Sequence, residues 1–172
     1  AMGLPFLPSL TMLGSDLMKV GGAGTMVCPF TGQTLSLIPA LFPDVAVLHV
    51  HRSDRFGNCQ IDGYSHMDAD IALAASTVLV TAEEIVDDTV ILQYPERTVI
   101  PGFVVDAVTE VPFGSFPHEC YGLYEADITH FGTYVQECED TLHGGLRGYL
   151  DKYLFGVKNH QEYLDLFGTD RL

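Results

Sequence analysis

Three stretches of this 172-residue chain concentrate side chains able to do chemistry. The first, Asp54-Arg55-Phe56-Gly57-Asn58-Cys59-Gln60, follows the most apolar strand-like run of the sequence. In open α/β sheets, ligands sit beyond the carboxyl ends of strands. In such a place Gly57 permits close backbone approach, Asn58 and Gln60 offer amide donors and acceptors, and Arg52 or Arg55 suits a carboxylate or phosphate. The same residues also describe a tight turn in which Asp54 bonds its own backbone, and residue types alone favour the turn.

The second stretch holds His49 and His51, two apart on a strand and therefore on one face. With His66 they raise the question of a metal. A zinc site needs three or four ligands with an oriented outer shell, and no third ligand follows at a supporting spacing. The expectation is a packed or hydrogen-bonded pair and no metal. The third stretch is Thr81-Ala82-Glu83-Glu84. A desolvated glutamate can act as a nucleophile, but Thr-x-x-Glu is also the capping box that starts a helix. That reading assigns Glu84 to a cap and leaves Glu83 open. Gly21-Gly22-Ala23-Gly24 lacks the spacing and the preceding strand of a dinucleotide loop. In Phe116-Pro117-His118-Glu119-Cys120 the thiol and imidazole are too near in sequence for a working pair, so the segment reads as a loop.

Charge removes several function classes. Eight Lys and Arg against 23 Asp and Glu give a net charge of −15. So few cations do not neutralise a run of phosphates, which excludes nucleic acid and disfavours anionic membrane surfaces. An anionic ligand would need backbone NH groups, one or two arginines, or another chain. No stretch approaches the ~18 unbroken apolar residues of a membrane-spanning helix. Cys28, Cys59, Cys120 and Cys138 show no C-x-x-C, and no secretory signal pattern opens the sequence. Reduced thiols in a cytoplasmic protein are expected.

The elements that must position these groups are legible as patterns. The length suits one domain, 1–172. Thr25–Pro29 and Gln33–Ile38 read as a hairpin turning at Phe30-Thr31-Gly32. Val45 to His51 is apolar at nearly every position, as in a parallel strand covered on both faces. Asp68–Ala75 reads as a helix feeding a second buried strand, Thr77–Thr81. Thr98–Ile100 and Phe103–Val111 suggest an extended pair broken by Pro101-Gly102. Phe131, Tyr134, Val135 and Cys138, then Leu146, Tyr149, Leu150, Tyr153 and Leu154, repeat with helical spacing. Phe155-Gly156 suits a helix stop, and 160–167 a last short helix. The fold class expected is α/β: an open, mostly parallel sheet layered with helices and closed by a helical C-terminal cap.

Taken in order, several runs resemble one family, the alpha subunits of class I coenzyme A transferases of the glutaconate CoA-transferase kind. They are Gly3-Leu4-Pro5-Phe6-Leu7-Pro8, Leu13-Gly14-Ser15-Asp16, Cys28-Pro29-Phe30-Thr31-Gly32, Ile38-Pro39-Ala40-Leu41 and Pro43-Asp44-Val45-Ala46. They continue through His49-Val50-His51-Arg52-Ser53-Asp54, Gly57-Asn58-Cys59-Gln60, Val80-Thr81-Ala82-Glu83-Glu84-Ile85-Val86, Ile100 to Val108, and Pro112-Phe113-Gly114. The resemblance covers nearly all of this sequence but only about the C-terminal half of an alpha chain of that kind. The expectation is therefore a fragment, or one piece of a split protein, with the upstream half a separate or lost segment.

The resemblance implies the open sheet shared with ribose-5-phosphate isomerases and transfer of coenzyme A from an acyl-CoA to a carboxylic acid. A glutamate attacks the thioester, giving a glutamyl anhydride and then a glutamyl-CoA thioester. In the family that glutamate belongs to the beta chain, in a Ser-Glu-Asn-Gly motif that this sequence lacks. A beta-type partner subunit is thus expected, with coenzyme A as substrate rather than cofactor. Ser15, Arg52, Asn58 and Gln60 are the residues expected to line the acyl or CoA site by hydrogen bonding and charge. One departure is Leu10, where the family commonly carries an Arg suited to a substrate carboxylate. The alternatives are a CoA-ester ring hydrolase of the same fold and a non-catalytic ligand-binding or structural module.

Overall fold

The computed structural model describes residues 3–140 and 144–168. Phe6–Ser9 (β1), Gly24–Val27 (β2) and Thr34–Pro39 (β3) form a small antiparallel sheet in the order β1-β3-β2, with the short helix α1 (Leu17–Val20) between its first two strands. The expected hairpin is present: Val27 lies opposite Thr34. Gly32, at φ +70°, takes the left-handed conformation that such a turn needs and that glycine adopts without penalty.

The larger sheet comprises Val45–Ser53 (β4), Cys59–Gln60 (β5), Thr77–Ile85 (β6), Thr98–Ile100 (β7) and Ala107–Glu110 (β8), in the order β7-β5-β4-β6-β8. The β4/β6 and β6/β8 pairs are parallel, while β4/β5 and β5/β7 are antiparallel. Two reversals restore the direction, so four of the five strands point the same way. This is the expected open α/β sheet. Between the strands lie α2 (Asp68–Ala74) and α3 (Asp88–Gln93); α4 (Ile128–Glu139), α5 (Gly145–Leu150) and α6 (His160–Asp165) build the C-terminal cap.

The core follows from strand alternation. Ala46, Leu48 and Val50 of β4 and Val78, Val80 and Ala82 of β6 bury one face with Cys59, Ile100 and Ala72 of α2. Burying a Val or Ile side chain there contributes about 1.5–3 kcal/mol. The opposite face differs from expectation. Val47 is 71% exposed, and Val45 and Leu79 are exposed beside it, so the amino-terminal half of β4 is covered on one side alone. An apolar run does not reveal which of its faces its own chain will cover.

Two further expectations are corrected. Thr98–Ile100 and the 103–111 segment do not pair: β7 and β8 occupy opposite edges of the sheet. The Thr81–Glu84 capping box does not form either, because β6 runs without a break to Ile85 and the next helix is capped by Asp87, whose side chain accepts the Thr89 NH at 3.0 Å. The β4 ladder holds Thr81–Glu84 extended, and that long-range pairing overrides the local helix signal. Both ends of β6 are finished from β8's side: the Asp106 carboxylate accepts the Val78 NH at 2.7 Å, and Glu110 accepts that of Ile85 at 2.8 Å.

Candidate functional site

The register of β4 and β6 places His49 opposite Thr81. Glu83 lies two residues beyond Thr81 and so on the same face. The His49 ring spans both: Nδ1 is 2.8 Å from Thr81 Oγ1 and Nε2 is 2.7 Å from Glu83 Oε1. The Tyr124 hydroxyl donates to the same Oε1 at 2.5 Å, and the Phe113 NH donates to Oε2 at 2.7 Å. The Tyr124 hydroxyl in turn accepts the Ser115 NH at 3.0 Å. The loop after β8 is thus folded over a carboxylate whose side chain is 10% exposed.

Gly114 permits this approach. A Cβ at that position would stand 2.6 Å from His49 Cε1 and 2.8 Å from the Val111 carbonyl. Burial pushes the Glu83 carboxyl up, but the Tyr124 hydroxyl, the Phe113 amide and His49 outweigh it and hold the group below its ordinary value. Glu83 is therefore an anion at neutral pH. An ionised carboxylate only accepts, so His49 Nε2 carries the hydrogen. Burial, followed by the bond to Glu83, pushes the Tyr124 phenol far above its ordinary range, and it acts as a fixed donor.

The other histidine of the pair also faces the loop. His51 Nε2 lies 2.8 Å from the Tyr121 carbonyl, and its Nδ1 accepts the Asp62 NH at 3.2 Å, which makes it the neutral tautomer protonated on Nε2. Cys120 Sγ sits 3.6 Å from that Nε2. Burial, then the charge of Glu83, pushes the Cys120 thiol up to about 11. A thiol so protonated is no nucleophile at neutral pH. His49, Glu83 and Cys120 offer ligand atoms within 4.8 Å of one another, the donor types of a transition-metal site. Each Glu83 oxygen already has a hydrogen-bond donor, so the geometry is that of a satisfied network. The expected hydrogen-bonded histidine pair is realised, while His66 makes an edge contact with Tyr64.

The four residues expected to line a ligand site are distributed as follows. Ser15 lies exposed in the turn before α1, its hydroxyl donating to the Met12 carbonyl at 2.8 Å. Arg52 donates through Nη2 to Asp62 Oδ2 at 2.5 Å and through Nη1 to Gln60 Oε1 at 3.3 Å. That guanidinium draws the Asp62 carboxyl below its ordinary value. Asn58 Nδ2 donates to Asp54 Oδ2 at 2.7 Å, and its Oδ1 accepts the Gly102 NH at 2.9 Å. Gln60 is buried and donates to the Tyr94 carbonyl at 3.1 Å. Asp54 Oδ1 accepts the NH groups of Phe56 and Asn58, each at 2.9 Å, as the tight-turn reading requires. Arg52, Asn58 and Gln60 thus come together around one turn, and Ser15 sits in a separate segment of the chain.

Residue reasoning did not single out the set Glu83, His49, Tyr124. The signal available was parity: polar side chains at 49 and 51, and at 81 and 83, share faces of two strands that read as buried. A cavity of about 460 Å³ opens beside this set, lined by Thr81, Gly114, Phe116 and residues of the C-terminal cap. A second, of about 530 Å³, lies between the small sheet and α2; residues such as Phe6, Leu7, Leu41 and Leu73 line it, and among the described residues no titratable side chain does.

Residues 1–111 match the family described as coenzyme A transferase. The chain belongs to the coenzyme A transferase family. It is 34% identical over 191 residues to the A subunit of glutaconate CoA-transferase from Acidaminococcus fermentans, covering 100% of this chain and 58% of that protein. It is 37% identical over 165 residues to the A subunit of 3-oxoadipate CoA-transferase from Pseudomonas knackmussii, covering 95% and 57%. The crystal structure of glutaconate coenzyme A-transferase from Acidaminococcus fermentans superposes with a TM-score of 0.91 at 33% identity, over 99% of this chain and 58% of that one. The chain thus spans somewhat over half the length of these coenzyme A transferase relatives. Among the described residues no helix is long and apolar enough to cross a membrane.

Proposed function

We propose that this chain serves as the alpha-type part of a CoA transferase that moves coenzyme A from an acyl-CoA to a carboxylic acid, with the attacking glutamate supplied by a beta-type partner subunit. The observation that carries this reading is the state of Glu83. It is the carboxylate best placed to compete for the nucleophile's role, yet both its oxygens hold donors and it is packed under the 111–124 loop. An attacking carboxylate needs an oxygen that the thioester carbon can approach, and burial under that loop denies Glu83 this approach. The relatives, each the A subunit of its enzyme, support the same division of labour.

Coenzyme A enters as substrate. Because the relatives are longer, the reading includes a companion segment carrying their remaining length, on this polypeptide or another. Ser15 and Arg52 contact the CoA or acyl group, and Asn58 and Gln60 hold the 54–60 turn in shape beside it. Enclosure between the two chains keeps water from the anhydride, which hydrolysis would otherwise destroy. The four cysteines are free thiols, which supports a cytoplasmic setting.

The test is exchange of coenzyme A between an acyl-CoA and an isotope-labelled carboxylate, followed by mass spectrometry with and without a beta-type partner. Exchange should require the partner, and the glutamyl-CoA adduct should map to it. Exchange by this chain alone, abolished in Glu83→Gln, overturns the reading. So does release of free acid with no labelled thioester, which marks a hydrolase.

A further inference from the structure

The cavity of about 460 Å³ beside Thr81 is built where the C-terminal cap folds back over the open sheet face. It falls within the about 300–1,000 Å³ of small-molecule sites. Val111, Phe116, Leu154 and Val157 give it apolar walls, and its polar lining residues include Thr81, Asn159, His160 and the solvent-exposed Lys158.

Lys158 is unusual in this molecule. Among the described residues, Lys19, Arg52, Arg147 and Lys152 each pair with a carboxylate, and Arg55 and Arg97 lie over aromatic rings. The Lys158 ammonium makes no such contact among them. The nearby Glu162 carboxylate is taken up by the backbone NH of Lys158, at 2.8 Å, and not by its side chain. In a chain with a net charge of −15, a cation without an acidic partner beside an apolar cavity is a site suited to an anion.

We infer that this cavity binds a small monocarboxylate with a short apolar chain, its carboxylate on Lys158 and its chain along Phe116 and Leu154. The choice of a carboxylate over other anions rests on the transferase reading above; the cavity, its walls and the unpaired cation do not. A bare inorganic anion leaves the walls unfilled, and a neutral alcohol leaves Lys158 unpaired.

The experiment titrates this chain with hexanoate, hexan-1-ol and inorganic phosphate, following saturation-transfer NMR signals of the two organic probes and phosphate as a competitor. Hexanoate should bind saturably, and hexan-1-ol about threefold more weakly, the order of loss when an ion pair to an exposed side chain is removed. Lys158→Gln should weaken hexanoate about threefold while leaving hexan-1-ol unchanged. Leu154→Trp, which fills the cavity without altering charge, should abolish both, with circular dichroism confirming the fold of each variant. Absence of saturable hexanoate binding, equal binding to the Lys158→Gln variant, equal affinity for hexan-1-ol, or displacement of hexanoate by equimolar phosphate each overturns the proposal. The exchange assay separates the two readings: exchange without hexanoate binding sinks the cavity alone, and hexanoate binding without exchange sinks the transferase alone.

Discussion

The turn at Asp54–Gln60 and the network around Glu83 each gather hydrogen bonds onto a single acidic side chain, but they recruit partners from different distances. Asp54 takes its donors from residues two and four places away. Glu83 takes its donors from His49, Phe113 and Tyr124, 30 to 41 residues away. The local arrangement shapes a turn whatever the rest of the chain does. The distant one exists only once β4 and β6 are in register and the loop after β8 has closed, so it reports on the whole fold.

If this contrast is correct, Asp54→Ala has the largest effect, because it removes the buried carboxylate on which three hydrogen bonds of one compact turn converge. A loss of about 3 kcal/mol is expected in urea unfolding, at the upper end for bonds to a charged group. Gly114→Ala comes next. The added methyl has no room beside His49, and overpacking of this kind costs about 2 kcal/mol. The imidazole resonances of His49 should shift in NMR while those of the Asp54 turn stay in place.

Glu83→Gln should cost about 1.5 kcal/mol at neutral pH, since the amide keeps one acceptor oxygen for His49 and Tyr124 but turns an NH2 donor toward the Phe113 NH. Its signature is the pH dependence. The folded-state value of Glu83 lies below the unfolded one, so its contribution is present at neutral pH and is lost as pH falls through and below the ordinary carboxylate range. Unfolding free energy of the variant should therefore fall less steeply with acid over that window; parallel curves would dissolve the distinction between the two regions. Arg52→Gln should have the smallest effect, under about 1 kcal/mol, because its partner Asp62 is partly exposed. A larger loss would place Arg52 with the distant network.

How much of this was readable from residues follows the same division. The hairpin, the α2 helix and the helical repeats at 131–138 and 146–150 are local patterns and appear where the spacing puts them, although Tyr153 and Leu154 fall in a π-helical turn, Asp151–Phe155, that the α-helical spacing does not predict. The Asp54 turn was legible for the same reason, since its partners lie within four residues. Thr81-Ala82-Glu83-Glu84 misled because four residues carry a helix-start signal, while the strand that overrides it lies more than thirty residues upstream. The bond from Tyr124 to Glu83 has no sequence signature at all; it depends on the course of the loop after β8.

The narrowest part of the large sheet is β5, two residues wide between β4 and β7. Its neighbours reinforce the splice with side chains: Asn58 reaches Gly102, and Gln60 reaches the Tyr94 carbonyl. The segment from Tyr94 to Gly102 is therefore held at this edge by those two bonds, the short β5 ladder and the burial of Ile100. Native-state exchange should release its amides as one block, at an opening energy below that of β4 and β6, and removing either side-chain bond should lower that energy without loosening the sheet's centre.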